Sequence, residues 1–193
     1  MTMIIKIWGN SIVRTTVILF LIAAISAFAL AAVNMVTAGP IEENVQQAVN
    51  KALKAVLPDM TQFEAEESFQ PEGSVLALYL ASNPDTDGAG YAVRVAPQGY
   101  GGAIEMVVGV SSEGTVTGVS IVKMNETPGL GTKINEHEFL DRFNGKKAGV
   151  SIGRGENNID AITGATISSR AVTSGVAEAL SAVAAYTARE AEE

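Results

Sequence analysis

The longest apolar stretch of the chain lies near its start, where residues 15–33 read TTVILFLIAAISAFALAAV without a charged side chain. At 1.5 Å per residue, a helix of this length spans roughly 28 Å, close to the thickness of the hydrocarbon core of a bilayer. A cleaved signal peptide is the alternative interpretation, but its apolar core is usually only about 7–15 residues long. We therefore predict a retained transmembrane helix over residues 15–36.

The charges that flank this stretch predict how the chain is oriented. Lys6 and Arg14 are the only charged side chains before Glu42. Positively charged flanks stay on the cytoplasmic side of a membrane. We therefore expect a single-pass protein of the cell membrane, with residues 1–14 cytoplasmic and residues 37–193 forming an extracytoplasmic domain.

Beyond the membrane segment, the spacing of apolar positions changes from helical to β-type. After Gly39-Pro40, apolar positions recur at helical spacing over residues 41–57, and Pro58 ends this predicted helix. Short or alternating apolar runs then predict four strands. They cover residues 74–81, 91–97, 103–110 and 115–124. SSEG, between the last two strands, is typical of a hairpin turn.

Two further helices are predicted in the second half of the chain. Residues 136–143, EHEFLDRF, read as a short helix, and residues 167–188 read as a closing helix. The apolar stripe of the closing helix consists of Ala171, Val172, Val176, Leu180, Val183 and Ala184. This order of elements predicts an α+β domain with an antiparallel sheet flanked by helices.

Composition and charge exclude several classes of function. The chain has no cysteine and one histidine, so neither thiolate-bound iron–sulfur clusters nor multi-histidine metal sites can form within it. All 21 acidic residues follow the apolar stretch, which makes nucleic acid an unsuitable partner for the domain. His137 lies among Glu136, Glu138 and Asp141, a charge run that we interpret as the solvated face of a helix.

Two glycine-rich loops are candidates for binding. Residues 125–133, NETPGLGTK, form either a surface loop or a segment whose glycines let a ligand approach the backbone. Residues 96–104, APQGYGGAI, do not match GxGxxG, and no strand–turn–helix unit surrounds them. A dinucleotide site of the Rossmann type is therefore not predicted there.

The segment DAITGATISS, residues 160–169, directly precedes the closing helix and has two interpretations. In the first, a hydroxyl of Thr166, Ser168 or Ser169 caps the helix. In the second, the free N–H groups of the first turn bind a phosphate beside the small residues Gly164 and Ala165. A threonine hydroxyl is a poor nucleophile without an activating group, so an external enzyme would have to join it to a phosphate.

Two motifs make the chain similar to a known family. Residues 160–166, DAITGAT, resemble the flavinylation motif D-x-x-[ST]-G-A-T of FMN-binding domains, and ETPGLG at residues 126–131 resembles a loop of the same domains. Together with the N-terminal apolar segment, they resemble the G subunits of Rnf complexes, which are ion-pumping ferredoxin:NAD oxidoreductases. The C subunits of sodium-pumping NADH:quinone reductases are close relatives. The resemblance covers essentially the whole chain.

This resemblance implies a role for each matching residue around the phosphate. Thr166 carries FMN through a phosphoester bond. Thr163, Gly164 and Ala165 shape the phosphate site. Asp160 serves recognition by a flavin transferase, which moves FMN from FAD with a metal of its own.

The resemblance also implies which residues lie against the isoalloxazine ring of the flavin. They belong to the 126–131 loop and include Glu126, Thr127, Gly129 and Leu130. Tyr100, from the other glycine-rich loop, is added as a candidate contact. No metal ligand and no catalytic residue is predicted in this chain itself.

The function that the resemblance implies is an electron relay with covalent FMN, in a membrane-bound ion-translocating ferredoxin:NAD oxidoreductase. The partners would be the other membrane subunits of the complex, and this chain would have no turnover of its own. Three alternatives stay open. They are the C-type member of the sodium-pumping quinone reductase, a separate extracytoplasmic flavin shuttle, and a membrane-tethered scaffold module without a cofactor.

Overall fold

A computed structural model describes residues 11–85 and 88–191. The chain forms two units, Met1–Asn44 and Val45–Glu193. Helix α1, Ser11–Val56, begins in the first unit and ends in the second. Lys6, on which the predicted orientation partly depends, lies outside the described residues, as does most of the predicted cytoplasmic segment 1–14.

The first unit presents an apolar helix surface. Phe20, Phe28 and Met35 are all exposed, Met35 to 83%. Within the described ranges, α1 is the one helix long and apolar enough to cross a membrane. Apolar surface of this extent is unfavourable in water, so the helix is consistent with the span predicted over residues 15–36.

The two helices predicted over residues 15–36 and 41–57 are one, because α1 continues through Pro40. A proline inside a helix removes one backbone hydrogen bond and strains the preceding turn. The helical pattern on both sides of Pro40 outweighs that local cost. The helix then ends at Val56, close to the end predicted from Pro58.

The second unit is built on a five-stranded antiparallel sheet. Its strands, which pair in chain order, are β1 (Gln62–Ala65), β2 (Val75–Asn83), β3 (Gly88–Val95), β4 (Glu105–Ser111) and β5 (Val116–Lys123). The last four are the predicted strands, with ends that differ by three residues or fewer. The predicted hairpin turn joins β4 to β5, and the Ser111 N–H donates to the Thr115 carbonyl at 2.8 Å.

Three short strands were not predicted. β1 is four residues long and mostly exposed, so it carries no apolar alternation. β6 (Ser151–Ile152) and β7 (Asn158–Ile159) form a parallel pair of only two residues each. Strands this short depend on tertiary contacts rather than on a local pattern.

Helices cover both faces of the sheet, which confirms the predicted α+β architecture. Helix α2 (His137–Leu140) continues into a 3₁₀ helix at Asp141–Phe143, so the predicted short helix is two pieces. Helix α3 (Thr166–Glu190) is the predicted closing helix. Five of its six predicted stripe residues are buried, whereas Ala184 is exposed.

The middle of the sheet shows why the strands were predictable. In β4, Met106, Val108 and Val110 pack into the cluster that includes the apolar stripe of α3. Val107, between them, packs into a second cluster with Val56 from the end of α1. Successive side chains of a strand point to opposite faces, so β4 is buried on both sides.

Helix α3 packs closely on the sheet at Gly175. A Cβ atom there would lie 2.5 Å from Met106 Cε and 2.8 Å from Pro97 Cγ. We expect Gly175→Val to lower the free energy of unfolding by about 1–3 kcal/mol, because the core is overpacked. Urea unfolding of the full chain in detergent measures this. Ala184→Val, at an exposed position of the same helix, is the control, and equal losses in both variants would contradict the close approach.

Tyr186 on α3 ties the helix to the segment after β1. Its hydroxyl donates to Glu66 Oε2 at 3.2 Å, and its ring meets the ring of Tyr91 edge-on, with centroids 6.1 Å apart. Burial, together with the carboxylate of Glu66, raises the pKa of Tyr186 to about 12.

This shift predicts a loss of stability at alkaline pH. The pKa of an unfolded tyrosine is about 10. Below that pH the contribution of Tyr186 is complete, and it is lost as the pH rises towards the folded value, because the unfolded state releases the proton first. Urea unfolding at pH values below 10 and near 12 measures this loss of stability. Tyr186→Phe should lose less stability across the window than the wild type, and identical curves would contradict the shift.

Candidate functional site

Three segments that are distant in sequence surround one cavity of about 500 Å³. The loop between β3 and β4 contributes Tyr100. The loop after β5 contributes Glu126, Thr127, Leu130 and Gly131, and the start of α3 contributes residues 164–168. Small-molecule sites are typically roughly 300–1,000 Å³, so this cavity is large enough for a ligand.

The loop between β3 and β4 is a tight turn closed by backbone hydrogen bonds. The Gly99 N–H donates to the Gly102 carbonyl at 2.8 Å, and the Ile104 N–H donates to the Pro97 carbonyl at 2.9 Å. The turn leaves Tyr100 69% exposed at the cavity. An exposed aromatic ring at a cavity edge is a suitable surface for a planar ligand.

The loop after β5 is anchored at its C-terminal end by the core. It leads into a 3₁₀ helix at Gly131–Asn135, in which Ile134 is buried. Phe139 and Phe143 follow in the same cluster, and their rings meet edge-on at 5.4 Å. Leu130 remains 48% exposed and lines the cavity.

The carboxylate of Glu126 joins all three segments. Its Oε1 accepts from the Tyr100 N–H at 2.9 Å and from the Gly101 N–H at 3.3 Å. Its Oε2 accepts from the Ser168 hydroxyl at 2.8 Å. Glu126 and Ser168 are 6% and 1% exposed, so these hydrogen bonds are shielded from water.

The predicted side-chain caps of α3 are wrong. The N-cap is Ala165, whose side chain has no polar atom. The Ser168 hydroxyl donates to Glu126 instead, and the Ser169 hydroxyl accepts from the Ile162 N–H at 3.0 Å. Thr166 is the first residue of the helix. Both serine side chains are buried, and their hydroxyls form hydrogen bonds with these partners instead of capping the helix.

The start of α3 therefore leaves its own donors unused. The first backbone bond of the helix runs from the Ser169 N–H to the Ala165 carbonyl at 2.9 Å. Among the residues that the structure describes, no acceptor faces the N–H groups of Thr166, Ile167 and Ser168, and none faces the Thr166 hydroxyl. Unpaired N–H groups at the positive end of a helix favour an anion.

Gly164 shapes the approach to this helix end. Its φ is +83°, a left-handed conformation that glycine adopts without strain. A Cβ atom there would lie 3.3 Å from Leu130 Cδ2 across the cavity. The turn at Gly164 thus brings the 126–131 loop and the start of α3 together.

Three of the predicted site residues do not line this cavity. Thr163 lines a neighbouring cavity of about 310 Å³, together with Lys133 and Arg142. Asp160 and Gly129 are exposed and line neither cavity. The segment 160–166 therefore separates two cavities, with its last residues facing the larger one.

Arg142 is a residue of this region that the sequence analysis missed. Its Nη1 donates to the Asp160 carbonyl at 3.2 Å, its Nε donates to the Glu138 carbonyl at 2.9 Å, and its Nη2 pairs with Glu138 Oε1 at 3.3 Å. The i,i+4 pair with Glu138 is visible in the sequence. The contact with Asp160 is not, because no local pattern connects the two segments.

The predicted charge run is solvated. Glu136, His137, Glu138 and Asp141 are all exposed. Within residues 11–85 and 88–191, no group of three or more histidine and acidic side chains is placed to hold a metal ion. The larger cavity presents backbone N–H groups, hydroxyls and apolar side chains to a ligand.

Family models match two parts of the chain. Residues 99–181 match the FMN-binding domain, and residues 1–56 match the RnfG N-terminal region. Among solved structures, the C subunit of the Na⁺-translocating NADH-quinone reductase from Parabacteroides distasonis superposes with a TM-score of 0.56. It is 20% identical, and the match covers 72% of this chain and 90% of that one, which shows a shared fold.

Two relatives extend the likeness to most of the chain. The G subunit of the Na⁺-translocating ferredoxin:NAD⁺ oxidoreductase complex of Acetobacterium woodii is 40% identical, over 82% of this chain and 85% of its own. The G subunit of the proton-translocating ferredoxin:NAD⁺ oxidoreductase complex of Clostridium ljungdahlii is 35% identical, over 92% and 95%. The resemblance seen in the two motifs is confirmed, and the chain belongs to the family of G subunits of ion-translocating oxidoreductase complexes, the Rnf complexes.

Proposed function

We propose that this chain is an electron-relay subunit of an ion-translocating ferredoxin:NAD oxidoreductase complex and carries FMN on Thr166 through a phosphoester. One observation supports Thr166 as the attachment site. The Thr166 hydroxyl is exposed beside three unpaired N–H groups, in the cavity that both family motifs line.

The phosphate fits the start of α3 on electrostatic grounds. The N–H groups of Thr166, Ile167 and Ser168 are donors without acceptors in the described chain, and the helix dipole adds positive potential at the same point. Gly164 and Ala165 leave room because neither has a side chain beyond Cβ. These residues therefore fit a phosphate bonded to Thr166.

The isoalloxazine ring fits the apolar part of the cavity. Leu130 and Ile167 are 48% and 52% exposed, and both line it. Apolar side chains in a small-molecule site cover the flat faces of a ring, whereas polar groups fix its orientation. FMN supplies the redox chemistry when it is bound, and the protein supplies the placement and the electrostatic surroundings.

Attachment needs an external flavin transferase. No base or metal activates the Thr166 hydroxyl within the described residues. In the transfer, the Thr166 oxygen bonds to the phosphorus of the FMN half of FAD, the bond to the other phosphate breaks, and AMP leaves. Asp160 and Thr163 are exposed on the segment that leads to Thr166, so the transferase can contact them.

The segment that the transferase would recognise, residues 160–166, is held in place by hydrogen bonds to the rest of the domain. Arg142 donates to the Asp160 carbonyl, and the Ile162 N–H donates to Ser169. A segment fixed in this way loses little conformational entropy when a partner binds it. We infer that Arg142 keeps the recognition segment ready for the transferase.

The proposed setting is a membrane, with the N-terminus in the cytoplasm and the domain on the other side. Lys6 and Arg14 before the apolar stretch support this orientation. The partners are the other membrane subunits of the complex. Identity with G subunits over most of the chain favours this assignment over a separate flavin shuttle or the C-type member of the quinone reductase.

Removal of the Thr166 hydroxyl tests the attachment. The full chain is produced together with a flavin transferase, and the covalent flavin is measured by intact mass, peptide mapping and in-gel fluorescence. Thr166→Val should carry no covalent FMN, because no oxygen remains to form the ester. Thr61→Val is the control, because Thr61 is exposed and lies outside the cavity, and this variant should be fully labelled. Labelling of Thr166→Val at the wild-type level would refute the assignment.

Gly164 offers a second test with a closely matched control. Gly164→Ala places a Cβ at φ +83°, and Gly145→Ala does the same at φ +76°, where nothing lies within 4 Å. Each change should lower the free energy of unfolding by about 1–2 kcal/mol. Only Gly164→Ala should slow FMN attachment, roughly tenfold or more, because it displaces the turn before Thr166.

The rate is followed as the mass gain of purified full chain incubated with transferase and FAD. Urea unfolding of the same samples gives the stability of each variant. Equal attachment rates in the two variants would show that the turn at Gly164 does not shape the site.

A further inference from the structure

Glu126 is an unusual group to find in the wall of this cavity. It is 6% exposed, and the ion pairs within the described part of the chain join Arg94 to Glu105 and Arg142 to Glu138. Its carboxylate therefore has hydrogen-bond donors but no cationic partner. Burying such a group is unfavourable unless its oxygens are well satisfied.

The donors of Glu126 come from both of the other cavity segments. Two are backbone N–H groups of the turn at Tyr100, and one is the hydroxyl of Ser168 in the first turn of α3. No hydrogen bond joins the Tyr100 turn directly to α3 within the described residues. The side chain of Glu126 is thus the polar connection between the ring side and the phosphate side of the cavity.

Two glycines of the neighbouring backbone pack closely against the carboxylate of Glu126. A Cβ atom on Gly131 would lie 2.6 Å from Glu126 Oε2, and a Cβ atom on Gly99 would overlap Oε1. The neighbouring backbone therefore lies directly against both oxygens. Protein interiors packed this closely transmit the loss of one group to the groups around it.

We propose that Glu126 is a positioning residue for the flavin, and that its unpaired negative charge lowers the midpoint potential of the flavin. This inference rests on the proposed attachment at Thr166. The sequence resemblance implied a ring contact for Glu126. The structure assigns its oxygens to Tyr100, Gly101 and Ser168, so it acts by holding the segments that meet the flavin.

The effect on the potential follows from the charge. Reduction of a flavin adds negative charge to the ring system, and a nearby buried carboxylate opposes that charge. Glu126 lines the cavity and, among the described residues, has no cation to neutralise it. Removing the charge while keeping the shape should therefore make the flavin easier to reduce.

Two substitutions separate the shape from the charge. In Glu126→Gln, the amide oxygen still accepts from the turn, and the amide nitrogen can donate to the Ser168 hydroxyl, which also accepts hydrogen bonds. Glu126→Ala removes every one of these bonds. Glu113→Gln, at an exposed position of the hairpin turn, makes the same charge change away from the cavity and is the matched control.

The experiment uses the full chain in detergent, with three measurements on each variant. Hydrogen exchange of the Tyr100 and Gly101 N–H groups is measured before FMN is attached. The rate of attachment is measured with purified transferase and FAD, and the midpoint potential is measured on the attached flavin. Thermal unfolding identifies any variant that fails to fold.

We expect Glu126→Ala to speed exchange at Tyr100 and Gly101 and to slow attachment on the order of tenfold. Glu126→Gln should attach FMN at close to the wild-type rate and shift the potential to a more positive value than Glu113→Gln. Wild-type exchange and attachment in Glu126→Ala would overturn the positioning role. If Glu126→Ala does not fold, the midpoint potential of Glu126→Gln tests the proposal. A potential equal to that of Glu113→Gln would then overturn it.

The outcomes also separate this inference from the function on which it rests. A wild-type chain that accepts no FMN would refute the attachment at Thr166. Exchange at Tyr100 and Gly101 would still report on Glu126 in that case, since it is measured without the flavin. A wild-type chain that is labelled, with variants that behave like it, would refute only the role of Glu126.

Discussion

The cavity depends on one buried carboxylate that satisfies donors from two other segments. The Tyr100 turn, the 126–131 loop and the start of α3 are separated by tens of residues, and they follow different elements of the fold. Glu126 accepts hydrogen bonds from both neighbours, so each of its oxygens has a donor within the protein. The glycines that press against it permit this arrangement, because any side chain at Gly131 would displace the carboxylate.

The two motifs in the sequence identified the segments of the site but not the contacts between them. Glu126 and Ser168 are 42 positions apart, and no local spacing indicates that their side chains meet. From the sequence, Ser168 was therefore interpreted as a helix cap, and Glu126 was expected to contact the flavin ring. The helix begins at Thr166 without a side-chain cap. Arg142 was missed for the same reason, since its contact with Asp160 is also long-range.

The fold was predictable where burial imposes a period on the sequence. β2 to β5 have the alternation or the apolar run of strands covered by helices on both faces, and α3 has a stripe that faces the sheet. β1, β6 and β7 are too short for a period to be recognised. The course of α1 through Pro40 was missed because proline is a strong local signal, whereas the continuity of a long helix depends on residues far from it.

The start of α3 meets the carboxylate of Glu126 without giving up its own N–H groups. The carboxylate of Glu126 takes a hydroxyl from the helix and N–H groups from the Tyr100 turn, and it takes no N–H group of the helix itself. The N–H groups of Thr166, Ile167 and Ser168 therefore stay free for a second anion, such as the phosphate that we propose. A serine cap would have occupied one of these donors. The Ser168 hydroxyl donates to Glu126, so it joins the helix to the Tyr100 turn and uses none of these N–H groups.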